Sequence, residues 1–104
     1  MPSHARPLAL GLLHVAPGTP TAARTRARVA LALRANRDGY ALAETLEFGT
    51  STLKDDLQYD ALEDLAARLD AHAFIVAGPL DVNRVHKIAD HLRLVVVEHD
   101  TTSS

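Results

Sequence analysis

The groups that could carry chemistry are few and scattered in this 104-residue chain. There is no cysteine, which excludes disulfides, thiol catalysis and cysteine-ligated zinc. Six histidines invite a metal reading. The best grouping is His86, Asp90 and His91. His86 and Asp90 share one side of a helix, but His91 is turned by about 100° from Asp90. A metal site needs three convergent ligands. A solvated helix face is therefore the expectation, and neither a metal nor another cofactor is implied. His4 and His99 fall in expected tails. No serine sits in a Gly-x-Ser-x-Gly elbow. Ser51, within Thr-Ser-Thr, reads as a loop hydroxyl. Asp55, Asp56 and Asp60 lie ahead of a helix, where the helix dipole stabilises negative charge. Asp81 stands beyond an apolar run beside Gly78 and Pro79, as an N-cap that is also a candidate site residue.

Charge is divided along the chain. Residues 1–37 hold six arginines and no acid, whereas residues 38–104 hold all 13 acids and five bases. Arg24, Arg26, Arg28, Arg34 and Arg37 are candidate contacts for a protein partner or for nucleic acid. Arg26 lies about 200° round the helix from Arg24, so the cations do not form one stripe. The segment has no aromatic ring on which bases could stack. A solvated face that balances the acidic remainder is favoured over a dedicated nucleic-acid surface.

The elements that must position these groups follow from periodicity and breakers. Residues 1–7 read as a disordered lead, residues 8–100 as one domain and residues 101–104 as a flexible tail. Leu8–Val15 is a short apolar run stopped by Pro17, Gly18 and Pro20, hence a strand. Residues 21–37 lack Gly and Pro and read as a helix that Thr19 or Thr21 could cap. Its apolar face is expected at Ala22, Val29, Ala30 and Leu33, interrupted at its edge by Arg26. Tyr40–Phe48 is a second strand, although Glu44 shares the parity of Leu42, Leu46 and Phe48. Residues 49–56 read as a polar loop. Tyr59–Leu69 is an amphipathic helix with Leu62, Leu65, Ala66 and Leu69 on one face. Ala73–Ala77 is a continuous apolar strand. Residues 82–92 form a helix with Val82, Val85, Ile88, Ala89 and Leu92 inward, and Leu94–Val97 is a fourth strand.

This alternation implies an α/β fold of three layers, with a four-stranded, mostly parallel sheet between helices. In such a sheet the functional crevice lies beyond the carboxyl ends of the strands. His14, Thr19, Ser51 and Asp81 belong to the loops that would line it. His14, Thr19 and Asp81 are the candidates for any catalytic role. The loop from Ala16 to Thr21 carries neither a phosphate-binding Gly-Lys-Ser/Thr ending nor the dinucleotide glycines, and its two prolines remove two donors. No apolar run reaches the ~18 residues of a membrane span. The opening residues make a poor signal-peptide lead, so a cytoplasmic location is expected.

With these elements placed, residues 8–100 resemble the catalytic domain of serine recombinases of the resolvase/invertase type. Gly11-Leu-Leu-His-Val-Ala16 looks like that family's Gly-Tyr-x-Arg-x-Ser tract. The helix at 59–69 with Ala73–Ala77 is similar to its Leu-rich helix and Val-rich strand. Gly78-Pro-Leu-Asp81, the following helix and Leu94–Val97 look like its Leu-Asp-Arg-x-x-Arg segment and closing strand. The likeness is one of layout. Ala16 stands where the family has its nucleophilic serine, and His14 where it has an arginine. Val82 and Val85 stand where it has two more arginines. Leu80 and Asp81 match, and Arg84 lies between the two lost positions. Serine attack on a phosphodiester needs the hydroxyl and the guanidinium groups.

The resemblance therefore implies a pseudoenzyme: a non-catalytic resolvase-like domain acting as an interaction or regulatory module, through self-association or a protein partner. Two other readings stand beside it. One is a small enzyme or ligand-binding domain using the crevice at His14, Thr19, Ser51 and Asp81. The other is nucleic-acid binding through the arginine-rich helix.

Overall fold

A computed structural model of the protein describes residues 6–49, 52–78 and 80–99; for residues 52–56 it describes the backbone alone. Seven elements alternate: β1 (Leu8–His14), α1 (Thr21–Arg37), β2 (Ala41–Phe48), α2 (Thr52–Leu69), β3 (Ala73–Ala77), α3 (Val82–Leu92) and β4 (Val95–His99). The strands form one sheet in the order β2-β1-β3-β4, and every neighbouring pair is parallel. This is the three-layer α/β arrangement that the alternation implies.

Alternate residues of the strands feed two cores. On one side Leu10, Leu12, Phe74 and Val76 pack with Phe48 and with Tyr59, Leu62 and Ala66 of α2 and Val85 and Ala89 of α3. On the other side Ala9, Leu13, Ala73, Ile75 and Ala77 pack with Leu31 and Ala35 of α1. Parallel strands buried on both faces must be apolar throughout, and all five residues of β3 are buried.

Three local readings are corrected. First, α2 begins at Thr52 rather than at Tyr59. The stretch looked like a loop because it is polar, but residues 50–77 contain neither Gly nor Pro to stop a helix. Second, α1 turns Leu31 and Ala35 inward and leaves Val29 and Leu33 exposed. Alanines on every side give the helix no dominant stripe, so packing chose its face. Leu31 seats against Gly11, whose missing side chain makes the room. A Cβ there would lie 2.8 Å from Thr45 Oγ1 and 3.2 Å from Leu31 Cδ1. Third, the parity conflict in β2 is resolved by an irregularity. Ala9 pairs with Leu42 but Leu10 pairs with Glu44, so the register slips by one residue there. Leu42 then packs on the α1 side, and Leu46 and Phe48 on the other.

At the start of the described chain Arg6 bonds to Asn36, and the Pro7 carbonyl accepts from Ala41 N at 3.0 Å. His4, Ser51, Pro79 and the 101–104 tail lie outside the described residues. Among the described residues, no helix is long and apolar enough to cross a membrane.

Candidate functional site

The sheet order reverses direction at β1 and β3, since the chain leaves β1 for β2 on one flank and later leaves β3 for β4 on the other. The crevice of such a sheet opens between the carboxyl ends of these two strands. His14 ends β1. Gly78 follows β3 with φ of 90°, and a Cβ on it would stand 2.8 Å from the His14 Cβ. Only glycine meets both demands, the left-handed backbone and the close approach to His14.

The other crevice candidates are engaged in local structure. Thr19 Oγ1 donates to the Ala16 carbonyl at 2.6 Å, closing the turn around Gly18. It does not cap α1, whose N-cap is Pro20 with no side-chain bond. Asp81 is the N-cap of α3: its Oδ1 accepts from Arg84 N at 3.3 Å. Its own backbone N–H donates to the Tyr59 hydroxyl at 3.3 Å. None of these bonds joins His14, Thr19 or Asp81 to one another. Ser51 lies outside the described residues.

Tyr59 is a residue that the sequence reading placed only as the start of a helix. It is buried, its ring centroid lies 4.9 Å from that of Phe48, and the Arg84 guanidinium carbon sits 4.5 Å above it. The signal was available: Tyr59, Leu62 and Ala66 follow the spacing of one helix face. The phenol thereby ties α2 to the β3–α3 turn with its apolar body in the core and its hydroxyl on the loop.

The arginine candidates on α1 are largely neutralised within the chain. Arg24 and Arg28, one turn apart, grip the two carboxylate oxygens of Glu47 at 2.6 and 2.9 Å. Burial pushes the Glu47 carboxyl up, but hydrogen bonds and charge from Arg24 and Arg28 outweigh it and hold the group below its ordinary value. Gln58 Nε2 donates to the Glu47 carbonyl at 2.7 Å, which fixes the same strand end from α2. Arg34 pairs with Asp38 at 2.9 Å, and Arg37 approaches the same carboxylate at 3.8 Å. Among the described residues, Arg26 alone of the five α1 arginines has no acidic partner. Glu47 was the missed residue here. An acid on the α1-facing parity of a strand, with Arg24 and Arg28 spaced i, i+4 on the helix before it, is the pattern that would have found it.

His86, Asp90 and His91 ride on the solvent side of α3, with His91 Nε2 3.9 Å from Glu63. Among the described residues, no group of three or more such side chains could hold a metal ion.

The remaining feature is apolar. Val29 and Leu33 are 52% and 64% exposed on the outer side of α1, and Val95 is 53% exposed on β4. An open cleft of about 250 Å³ lies beside Leu33, lined by Ala30, Leu33, Arg34, Arg37 and His99. Compared with protein-family models, with curated proteins and with solved structures, the chain matches none.

Proposed function

We propose that the chain is a non-catalytic, resolvase-like interaction module of the cytoplasm, whose contact surface is the α1 side of the sheet. The observation that carries this reading is the exposure of Val29 and Leu33 on a helix whose inner face is already buried. Large aliphatic side chains grouped beside an open cleft are the mark of a protein contact rather than of a solvated face.

Two further observations support the reading. Val85, which stands where the recombinases have an arginine, is buried in the core, and a guanidinium there would be a charge without water. The crevice hydroxyl and carboxylate, Thr19 and Asp81, serve a turn and a helix cap. A phosphate approaching α1 would have to compete with Glu47 and Asp38 for four of its five arginines, which favours a protein over a nucleic acid.

Photo-crosslinking in the native cell tests the reading. A photoreactive residue in place of Leu33 should give a discrete protein adduct, and one in place of the still more exposed Leu57 on α2 should not. Absence of any adduct at position 33 overturns it.

A further inference from the structure

The α1 side carries two unfinished surfaces that suit each other. The first is the outer face of α1. Val29 and Leu33 lie about 160° round the helix from the buried Leu31, so the helix is apolar on opposite sides. A helix apolar on opposite sides is characteristic of one covered on both. The second is β4. Its residues Val95, Val97 and His99 are in register with Ala73, Ile75 and Ala77 and therefore face the α1 side. The helix α1 lies over β2, β1 and β3, leaving Val95 more than half exposed. His99 Nδ1, at the end of the same row, is buried without a hydrogen-bond partner. Such orphans are few in native structures.

One molecule has a helix with a spare apolar face and a sheet lacking a helix over its last strand. It cannot join them itself, because Leu31 and Ala35 fix α1 over the other three strands. Within one molecule Leu33 meets β4 only across the open cleft at His99, so the spare face can cover Val95 only on another molecule. Resting on the interaction reading above, we infer that the partner is a second copy of this chain. The two copies are related by a two-fold axis, and the outer face of each α1 seats on the Val95–Val97 surface of the other. Such an isologous contact makes both halves of the match at once.

The size fits. The 17-residue helix is about 25 Å long. With the adjoining strand the strip is about 20 Å wide, so two copies cover roughly 1,000 Å² before corrugation, within reach of a specific interface. The charges permit it. Arg34 and Arg37 at the cleft are countered by Asp38. The β4 row that faces the α1 side, Val95, Val97 and His99, carries no Lys or Arg to oppose Arg26, the one α1 arginine without an acidic partner among the described residues.

Sedimentation velocity and light scattering on the full chain, with the crosslink at position 33 sized on a gel, provide the test. The wild type should run as a dimer. Leu33→Glu and Val95→Lys should each weaken it by about 30-fold or more, the loss expected of a central apolar anchor. Leu57→Glu, on the other side of the sheet, should leave it unchanged, and all three should keep the wild-type circular dichroism. A wild-type monomer at several hundred micromolar overturns the inference. So does a dimer that Leu33→Glu leaves intact, which would point to pairing along the β4 edge. A crosslink at position 33 to a different protein removes the second copy but upholds the interaction reading, whereas no crosslink removes both.

Discussion

The face of the sheet under α2 and α3 is covered by two helices and filled with Phe48, Phe74 and Tyr59. The face under α1 has one helix, and its core is Leu31, Ile75, Leu13 and alanines. The difference begins in the strands. Leu10, Leu12, Phe74 and Val76 point to the first face, and Ala9, Gly11, Leu13, Ala73, Ile75 and Ala77, half of them alanines, to the second. Large side chains hold helices away and need two of them to be covered. Small ones let a single helix come close, and Gly11 marks the point of closest approach. The close helix is then tied down electrostatically, by Glu47 to Arg24 and Arg28. The core of one face is closed by two helices, although Leu57 and Val82 on those helices are themselves exposed; the other face leaves Val95 of β4 uncovered beside the exposed Val29 and Leu33.

Substitutions can break this contrast. The largest effect is expected on the sealed face. Phe74→Ala should cost about 3–5 kcal/mol in denaturant unfolding, because it leaves a cavity walled by two helices. A loss no greater than that of Ile75→Val, about 0.5–1.5 kcal/mol, would mean that the two faces are equally forgiving.

The next effect belongs to the close approach. Gly11→Val should destabilise by about 1–3 kcal/mol through overpacking against Thr45 and Leu31. Leu31→Ala in the same chain should be less harmful than the two single losses added together, since the new side chain enters the space that Leu31 vacates. Strict additivity would place the clash elsewhere.

The clasp on α1 has a smaller effect with a pH signature. Arg24 and Arg28 are about half exposed, so Glu47→Gln should cost about 1 kcal/mol at neutral pH. The folded carboxyl titrates below its ordinary value. Its contribution is therefore complete above the unfolded value of about 4.3 and fades as pH falls through the lower folded one. The variant should show a shallower loss of stability on acidification. An identical acid limb would show that the clasp adds nothing. Smallest of all, Leu33→Glu should change stability of the isolated fold by under about 0.5 kcal/mol, as exposed positions do. Its consequence should appear in association alone.

Much of the fold was legible because its signals are local. Pro17, Gly18 and Pro20 stop β1, the Ala73–Ala77 run is apolar throughout, and Asp81 caps α3 as its type and place suggest. Where local signals were weak, context decided. The polar start of α2 carried no breaker, and β2 hid a register slip that turned Leu42 to one side and Leu46 to the other. Of the candidate site, the positions of His14, Thr19 and Asp81 at or after the ends of β1 and β3 follow from element order. Their bonding partners were not legible, since Ala16, Tyr59 and Arg84 are brought to them by turns and packing.

The sequence by itself determined the alternation of strand and helix, the absence of thiol chemistry and the opposition of a basic first third to an acidic remainder. Those properties are sums over residues or short-range patterns, and no packing can alter them. Tertiary structure alone decided which side of α1 is buried. A helix of alanine, arginine and a few aliphatic residues offers two apolar faces of similar quality. Gly11 on the neighbouring strand selects the one that carries Leu31, and Val29 and Leu33 are left outside. The pairing of Arg24 and Arg28 with Glu47 was decided in the same way, by a strand placed beside the helix. The basic helix thereby became a surface neutralised within the chain at four of its five arginines, with an apolar ridge beside Arg26.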